Sequence, residues 1–377
     1  MKLAYVSSHP APYRDAFLAG LAREKRFRVD IYSLFSKDVG HDFWKLDAPQ
    51  YEDKVIVSRE GMSGFRIFFR LLHQIVFAGY DCVCWPGFSP WYLVGCMLIQ
   101  AILGRKYIIV ADTVEQHKIN SLSFAIKRFL VRRATMLFVP GKRSLEFFST
   151  TFNVDKSKIC LGAYSLDGKV LEERIALYGK ERRFLRSRYG IGDGDRVFLM
   201  VANMIKTRHY PITSEALLRA TRNRNNAKFI MIGRGPELEC MQELATRESA
   251  LIVLPGVPFD EMLKLYAISD VYVHGGTEPA STALVIGAIA HLPLISSPAV
   301  GCFADVVVDG ETGYAVNDYL SVEEWESAFV RALDDVSSWK KMGERARVLS
   351  RTLDSDKVVE EFSEKVMLLM GGHHHGE

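Results

Sequence analysis

Asp270-Val-Tyr-Val-His-Gly-Gly-Thr-Glu-Pro-Ala-Ser-Thr-Ala-Leu-Val-Ile-Gly-Ala-Ile-Ala290 changes its hydrophobic pattern in the middle. The first five residues read as a strand. The run from Ala283 to Ala290 reads as a helix, with Ser281 or Thr282 as its N-cap. Between them, Gly275 and Gly276 soften a strand-to-helix turn that carries one carboxylate, Glu278. In an α/β protein such a turn sets a carboxylate and several backbone N–H groups at the carboxyl edge of the sheet, where ligands bind. Glu278 is therefore the first catalytic candidate. The alternative is a helix-start carboxylate stabilised by the helix dipole.

Outward from this stretch the same alternation recurs. Lys2-Leu-Ala-Tyr-Val6, Phe27 to Leu34, Cys82 to Trp85, Lys106 to Ala111, Thr135 to Gly141 and Ile159 to Asp167 read as strands or strand exits. Helical spacing fills most of the intervals. After the charged segment Glu172 to Tyr189 a second series opens, at Asp195 to Ala202, Lys228 to Gly233, Leu251 to Leu254, Val271 to His274 and Leu292 to Ser296. Strands alternating with helices predict parallel sheets covered on both faces. The chain thus reads as α/β, with two doubly wound Rossmann-like domains at 1–165 and 166–354. A final helix over 355–370 is a candidate to pack back on the first domain.

At 377 residues there is room for two ordinary cores, and 48% hydrophobic with 25% charged residues is the balance of a globular protein. Residues 1–165 hold 23 Lys+Arg against 14 Asp+Glu, a net +9, which leaves 25 against 31, a net −6, for the rest. A basic first half suits an anionic partner such as a phosphate-bearing lipid or a membrane surface, the alternative being a harmless dipole. Phe65 to Leu72 and Phe124 to Arg133 mix aromatics with cations at helical spacing, either to lie in a lipid interface or to pack on the sheet with their cations solvated. The longest apolar stretch, Trp91 to Leu103, contains Gln100 and falls short of the roughly 18 residues that a spanning helix needs. The start has too short an apolar run for a signal peptide. The six cysteines show no metal-type spacing and fit buried thiols in a reducing compartment. The reading is cytoplasmic, peripheral on the inner face of the plasma membrane, with no nucleic acid as partner. The His-rich end over 371–377 reads as a tail.

With these segments in place, the chain resembles a GT-B glycosyltransferase, specifically a retaining family-four enzyme. Ile232-Gly-Arg-Gly-Pro-Glu-Leu-Glu239 is similar to the family's glycine-glycine-proline turn. Leu254-Pro-Gly-Val-Pro258 followed by Tyr266 to His274 resembles its nucleotide-side loop, helix and strand, and Asp309-Gly-Glu-Thr-Gly-Tyr-Ala-Val316 its closing turn. The resemblance implies two domains facing a cleft, and a nucleotide-sugar donor used without a metal or other cofactor. It makes Glu278 the first of the family's paired glutamates, touching the donor sugar. Arg208 stands where a lysine usually binds the pyrophosphate, with Lys206 close by. Gly233 opens the glycine turn, Gly256 and Val257 present backbone to the nucleobase, and the helix start at Ser281, Thr282 and Ala283 meets the diphosphate. His117 falls where related enzymes offer a polar residue to the transferred sugar, and Ser8 and His9 lie in the loop shared by acceptor and donor. Two positions depart from the pattern: the second glutamate is Ile286, and the arginine before the pyrophosphate lysine is Asn203.

Retaining transfer needs cations or N–H donors for the leaving diphosphate and polar groups around an anomeric carbon that becomes cationic. Arg208, Lys206 and the helix start supply the first, Glu278 and His117 the second. The implied acceptor is lipid-linked or a saccharide, in cell-surface polysaccharide or glycolipid synthesis. Ile286 and Asn203 leave open a degenerate protein that binds a glycan or partner without turnover, and a sugar-nucleotide epimerase of the same fold is a further alternative. Asp193-Gly-Asp195 reads as a turn rather than a metal pair. Gly233-Arg-Gly235 is no dinucleotide fingerprint, because Pro236 interrupts it and Leu238 replaces the third glycine.

Overall fold

Lys2 to Ser7 runs parallel to Arg28 to Ser33 in unbroken register, the first of a series of parallel pairings through the chain. The computed structural model describes residues 1–8, 12–35, 51–57, 62–113, 121–222 and 226–371. These cluster into two compact units, one of residues up to Asp167 together with those from Thr352 onward, the other Gly168–Arg351.

The first unit runs β1 (Lys2–Ser7), α1 (Pro12–Arg23), β2 (Arg28–Phe35), β3 (Asp53–Val57), α2 (Gly64–Leu71), β4 (Cys82–Pro86), α3 (Trp91–Ile102), β5 (Lys106–Val110), α4 (Ser121–Arg133), β6 (Met136–Val139), α5 (Lys142–Thr151) and β7 (Ile159–Leu161). Its strand order is β3-β2-β1-β4-β5-β6-β7. Alternation along β1 divides the core: Ala4 and Val6 join the cluster under α2 to α5, whereas Leu3 and Tyr5 join the opposite one. A turn of π-helix, Leu72–Val76, extends α2. Strand β3 was not anticipated. It opens with Asp53 and Lys54, both half-buried, and lies at the sheet edge, so its apolar signal is weak.

The second unit runs α6 (Gly168–Gly179), α7 (Arg182–Ser187), β8 (Arg196–Val201), α8 (Tyr210–Ala220), β9 (Ala227–Ile232), α9 (Leu238–Arg247), β10 (Leu251–Leu254), α10 (Phe259–Ile268), β11 (Val271–His274), α11 (Thr282–Ile289), β12 (Leu294–Ser296), α12 (Phe303–Val306), β13 (Gly313–Ala315), α13 (Val322–Asp334) and α14 (Trp339–Ser350). Its order is β10-β9-β8-β11-β12-β13. One face of the sheet packs Phe198 and Phe229 against Phe329 and Trp325 of α13, in a core that α8 shares. On the other, α11 comes so close to β11 that a Cβ on Gly287 would lie 2.7 Å from Cγ of Tyr272.

Helix α15 (Ser355–Gly371) belongs to the first unit. The division falls before Thr352 rather than after residue 354, because Leu166 N–H donates to the Leu353 carbonyl (3.2 Å) and Ser355 N–H to the Leu166 carbonyl (2.8 Å). Phe362 then packs edge-on against Phe17, centroids 5.4 Å apart, and against Phe138 at 4.9 Å. Gly162, at φ +96°, has Val358 directly over it, 2.5 Å from where a Cβ would stand.

All cysteines except Cys240 are buried free thiols, and burial pushes Cys82, Cys96 and Cys160 up to about 12. Asp193 and Asp195 sit in a turn, Asp195 Oδ2 accepting from Gly192 N–H at 2.7 Å while Asp193 pairs with Arg183. The arginines of α7 anchor that helix: Arg182 and Arg186 bind the two carboxylate oxygens of Asp270 at 2.6 and 2.8 Å.

Candidate active site

In the second sheet the chain leaves β8 for β9 and β10 on one side and returns to the other side for β11. The carboxyl ends of β8 and β11 therefore flank a topological switch point, where open α/β sheets bind ligands. The loop after β8 carries Asn203, Lys206 and Arg208, and the loop after β11 carries Gly275 to Ser281. Two candidates 70 residues apart meet here: Arg208 Nη1 lies 3.2 Å from Glu278 Oε2.

The other oxygen of Glu278 is held from the strand itself. His274 Nε2 lies 2.6 Å from Glu278 Oε1. His274, fully buried at the end of β11, stacks at 17° on Tyr272, which stacks at 17° on Tyr266. Its Nδ1 faces the hydroxyls of Tyr272 (3.3 Å) and Ser281 (3.5 Å). Ser281 is the N-cap of α11, accepting from Leu284 N–H at 3.2 Å. Burial would raise the Glu278 carboxyl, but the His274 imidazole and the Arg208 guanidinium outweigh it and hold the group below the ordinary glutamate value. Glu278 is thus a nearly buried, ionised carboxylate.

The two glycines make this packing possible. A Cβ on Gly276 would fall 2.1 Å from Glu278 Oε2, and one on Gly275 would fall 2.8 Å from the Arg208 carbonyl. Gly301 closes the loop from outside. Its N–H donates to the Glu278 carbonyl at 2.9 Å, and a Cβ there would overlap the Pro279 carbonyl.

The remaining candidates of this unit gather at the same sheet edge. Asn203 and Lys206 are exposed, and Arg208 is half-buried. Gly233 presses on the backbone after β8, a Cβ there lying 2.0 Å from the Ala202 carbonyl. Gly256, after β10, lies under the side chain of Arg234, and Val257 beside it is half-buried. Thr282 and Ala283 form the first turn of α11, and the Ala283 carbonyl accepts from the Tyr266 hydroxyl at 2.9 Å. Ile286 departs from expectation. At 3% exposure it is one of an unbroken buried run, Leu284 to Ile289, so it belongs to the packed core rather than to an open pocket wall.

Sequence reasoning missed His274, and also His209. The signal for His274 is its i, i+4 spacing to Glu278 across two glycines. His209 follows Arg208 in the left-handed conformation, φ 54°, that starts α8, and burial and then Arg208 push its imidazole down.

In the first unit the switch point lies between β1 and β4. Ser8 follows β1 there, its hydroxyl 3.1 Å from Arg14 Nη1, which also donates to Ser7 at 3.0 Å. His9 and His117 lie outside the described residues, as does the His-rich tail. Among the described residues no three His, Cys, Asp or Glu side chains gather to hold a metal, and no helix is long and apolar enough to cross a membrane.

Residues 181–349, most of the second unit, match the family described as Glycosyl transferases group 1. No curated protein matches the chain significantly. Solved structures do. A glycosyltransferase from Rickettsia africae is 14% identical over 99% of this chain and 99% of its own, with a TM-score of 0.77. HepE from Anabaena, in complex with UDP, is 16% identical over 97% and 99%, at 0.74. WaaG, a glycosyltransferase involved in lipopolysaccharide biosynthesis, is 16% identical over 96% and 98%, at 0.66. At these identities the likeness is one of fold, and the fold is GT-B: two parallel, doubly wound α/β units.

Proposed function

We propose that the protein is a retaining glycosyltransferase that moves a sugar from a nucleotide-sugar donor to a lipid-linked or saccharide acceptor. The observation that carries this reading is the meeting of Glu278 and Arg208 at the switch point of the unit that matches the glycosyl transferases. The bond from the anomeric carbon to the diphosphate breaks, a bond to the acceptor oxygen forms, and the acceptor hydroxyl gives up its proton to the departing diphosphate. Negative charge builds on the departing diphosphate and positive charge on the sugar ring.

Each charge has a counterpart in the site. Arg208, the exposed Lys206 and the first turn of α11 face the diphosphate, so the reaction needs no metal or other cofactor. Arginine suits that task through its planar array of donors. Glu278, kept ionised and fixed by His274, accepts hydrogen bonds from the sugar and stabilises the cationic carbon. His117, in the first unit, is the proposed polar contact to the transferred sugar, and Ser8 and His9 face the acceptor. The base pairs with backbone at Gly256 and Val257, and UDP-sugars are the first donors to try because HepE, of like fold, binds UDP.

The site of action is the cytoplasmic membrane surface, in polysaccharide or glycolipid synthesis. The basic first half supports it, and WaaG, of like fold, acts in lipopolysaccharide synthesis. A second reading, a GT-B protein that binds a glycan or partner without turnover, draws on Ile286 and Asn203, which stand where the resembling enzymes have a glutamate and an arginine.

A panel of UDP-, GDP- and ADP-sugars assayed for hydrolysis and transfer separates the two. With an accepted donor, Glu278→Ala is expected to lower turnover about 100-fold or more, a loss of roughly 2.7 kcal/mol, at unchanged far-ultraviolet circular dichroism. A wild-type rate in the variant removes Glu278 from the chemistry. No turnover of any donor supports the second reading.

A further inference from the structure

Helix α3 has an unusual distribution of polarity. Its one polar residue, Gln100, is buried and accepts from Trp85 Nε1 at 2.5 Å. Trp91 and Ile102, exposed, and Val94 and Leu98, half-buried against the edge of the core, are apolar and follow the i, i+3, i+4 spacing of one helix face. A surface helix of a soluble protein shows the reverse. Helix α11 is also apolar all round, but its residues from Leu284 to Ile289 are all buried; α3 is apolar all round yet exposed at both ends, at Trp91 and Ile102, with Val94 and Leu98 half-buried between them.

At the Trp91 end the exposed apolar surface continues onto α2. Phe65 and Phe69, one turn apart, are 69% and 64% exposed, while Ile67 and Leu71 point into the core. The Phe65 ring lies 5.1 Å from that of Trp91, which joins the two helices into one aromatic edge. At the other end of α3, Ile102 is 74% exposed, and Leu103 and Phe77 are exposed beside it. Exposed apolar side chains gathered at both ends of one helix, joined by the half-buried Val94 and Leu98, mark an interaction face.

Its charge identifies the partner. Residues 62–110 and 121–134, which contain α2, α3 and α4, hold eight Lys and Arg against a single acid, Asp81. Arg66 and Arg70 flank the aromatics of α2, and Arg105 lies over the Phe77 ring, 5.5 Å from its centroid. Aromatic and aliphatic side chains that project between cations fit a layer with an apolar interior and an anionic rim.

We propose that the outer face of α2 and α3 inserts into the acyl layer of an anionic bilayer, with Phe65, Phe69, Trp91 and Ile102 below the headgroups and the arginines among them. Helix α3 lies in the interface plane, because 12 residues at ~1.5 Å each reach about half of the hydrocarbon thickness. This rests on the peripheral-membrane part of the proposed function and adds to electrostatic adsorption a site of hydrophobic insertion with named residues. The donor chemistry plays no part in it.

The test uses the full chain with vesicles of phosphatidylglycerol and phosphatidylethanolamine, with phosphatidylcholine vesicles as the neutral control, in low and high salt. Tryptophan emission is followed with brominated acyl chains as quenchers. The expected result is binding to the anionic vesicles, quenching that disappears in Trp91→Phe, and a loss of partitioning of tenfold or more in Phe65→Ser/Phe69→Ser and in Ile102→Ser/Leu103→Ser. In Arg128→Gln/Arg132→Gln/Arg133→Gln only the salt-sensitive part should fall. All these changes are at the surface, so a thermal melt matching the wild type checks the fold. Salt-sensitive adsorption without quenching of Trp91 would overturn insertion and leave adsorption standing. Absence of binding to every vesicle would overturn both, and a dimer abolished by the Phe65/Phe69 change would reassign the face to a second copy of the chain.

Discussion

Gly276→Ala adds one methyl group at the tightest point of the site. An ideal Cβ there stands 2.1 Å from Glu278 Oε2, 2.8 Å from Arg208 Cδ and 2.9 Å from His274 Nε2. The φ at 276 is outside the left-handed region, so the conflict is steric alone. His274 is fixed in the core and Arg208 has little room, which leaves the carboxylate as the group that moves. Its movement breaks the 2.6 Å contact to His274 and the 3.2 Å pairing with Arg208. A charged hydrogen bond contributes about 1.5–3 kcal/mol. The larger cost of an abandoned buried ion does not apply in full, because the displaced carboxylate escapes to solvent. The second unit should therefore melt roughly 3–12 °C lower. If Glu278 orients the sugar, turnover falls about 10- to 150-fold, at ~1.4 kcal/mol per tenfold. The decisive assay is a double-mutant cycle with Glu278→Ala, read both in melting and in donor turnover. Once the carboxylate is gone the methyl has space, so Gly276→Ala should then cost less than about 0.5 kcal/mol. Fully additive losses, or a single variant with the wild-type rate and melting point, would refute the claim that the glycine acts through Glu278.

Two further expectations follow from the same unit. Because the Glu278 carboxyl is held below its unfolded value of about 4.3, it contributes stability that is present above that pH and is lost as pH falls through the lower folded value. The stability gap between wild type and Glu278→Gln in denaturant titrations should be full at pH 7 and close in acid, and a gap that does not change with pH would contradict the depressed carboxyl. Ile286→Glu should lower stability by about 3 kcal/mol or more, since it places an unpaired carboxylate at a buried position; calorimetric titration should show no gain in UDP binding. Tighter nucleotide binding at unchanged stability would move Ile286 from the core to the pocket.

The fold was legible wherever a strand was buried on both faces, because such strands read as apolar runs between helical spacings. Strand β3 was not, since an edge strand that opens with Asp53 and Lys54 carries too little apolar signal. Glu278 stood out because the change of period and the two glycines are local. His274 did not, because a histidine that ends a strand has no mark of its own; its contact exists only after Gly275 and Gly276 fold Glu278 back upon it. The meeting of Arg208 with Glu278 depends on β8 lying beside β11, a neighbour relation set by the whole strand order. The apolar run of α3 was visible as well. Which of its residues stay exposed is decided by α2 and the sheet beneath, and no single segment carries that information.

Helix α15 gives the protein an unusual history during synthesis. The first unit's sheet is built from residues 2–161, yet the side where Phe138 meets Phe17 of α1 is closed by Phe362, and Lys365 Nζ donates to the Ile159 carbonyl at 2.7 Å. Residues 168–351 leave the ribosome before that helix does. The second unit thus has all of its chain while the earlier-made one still lacks the helix that covers part of one side of its sheet beside α1, the reverse of the usual order in which domains complete from the N-terminus. Until α15 follows the second unit out, that part of the first core stays uncovered, and the helix acts as the lid that ends the exposure.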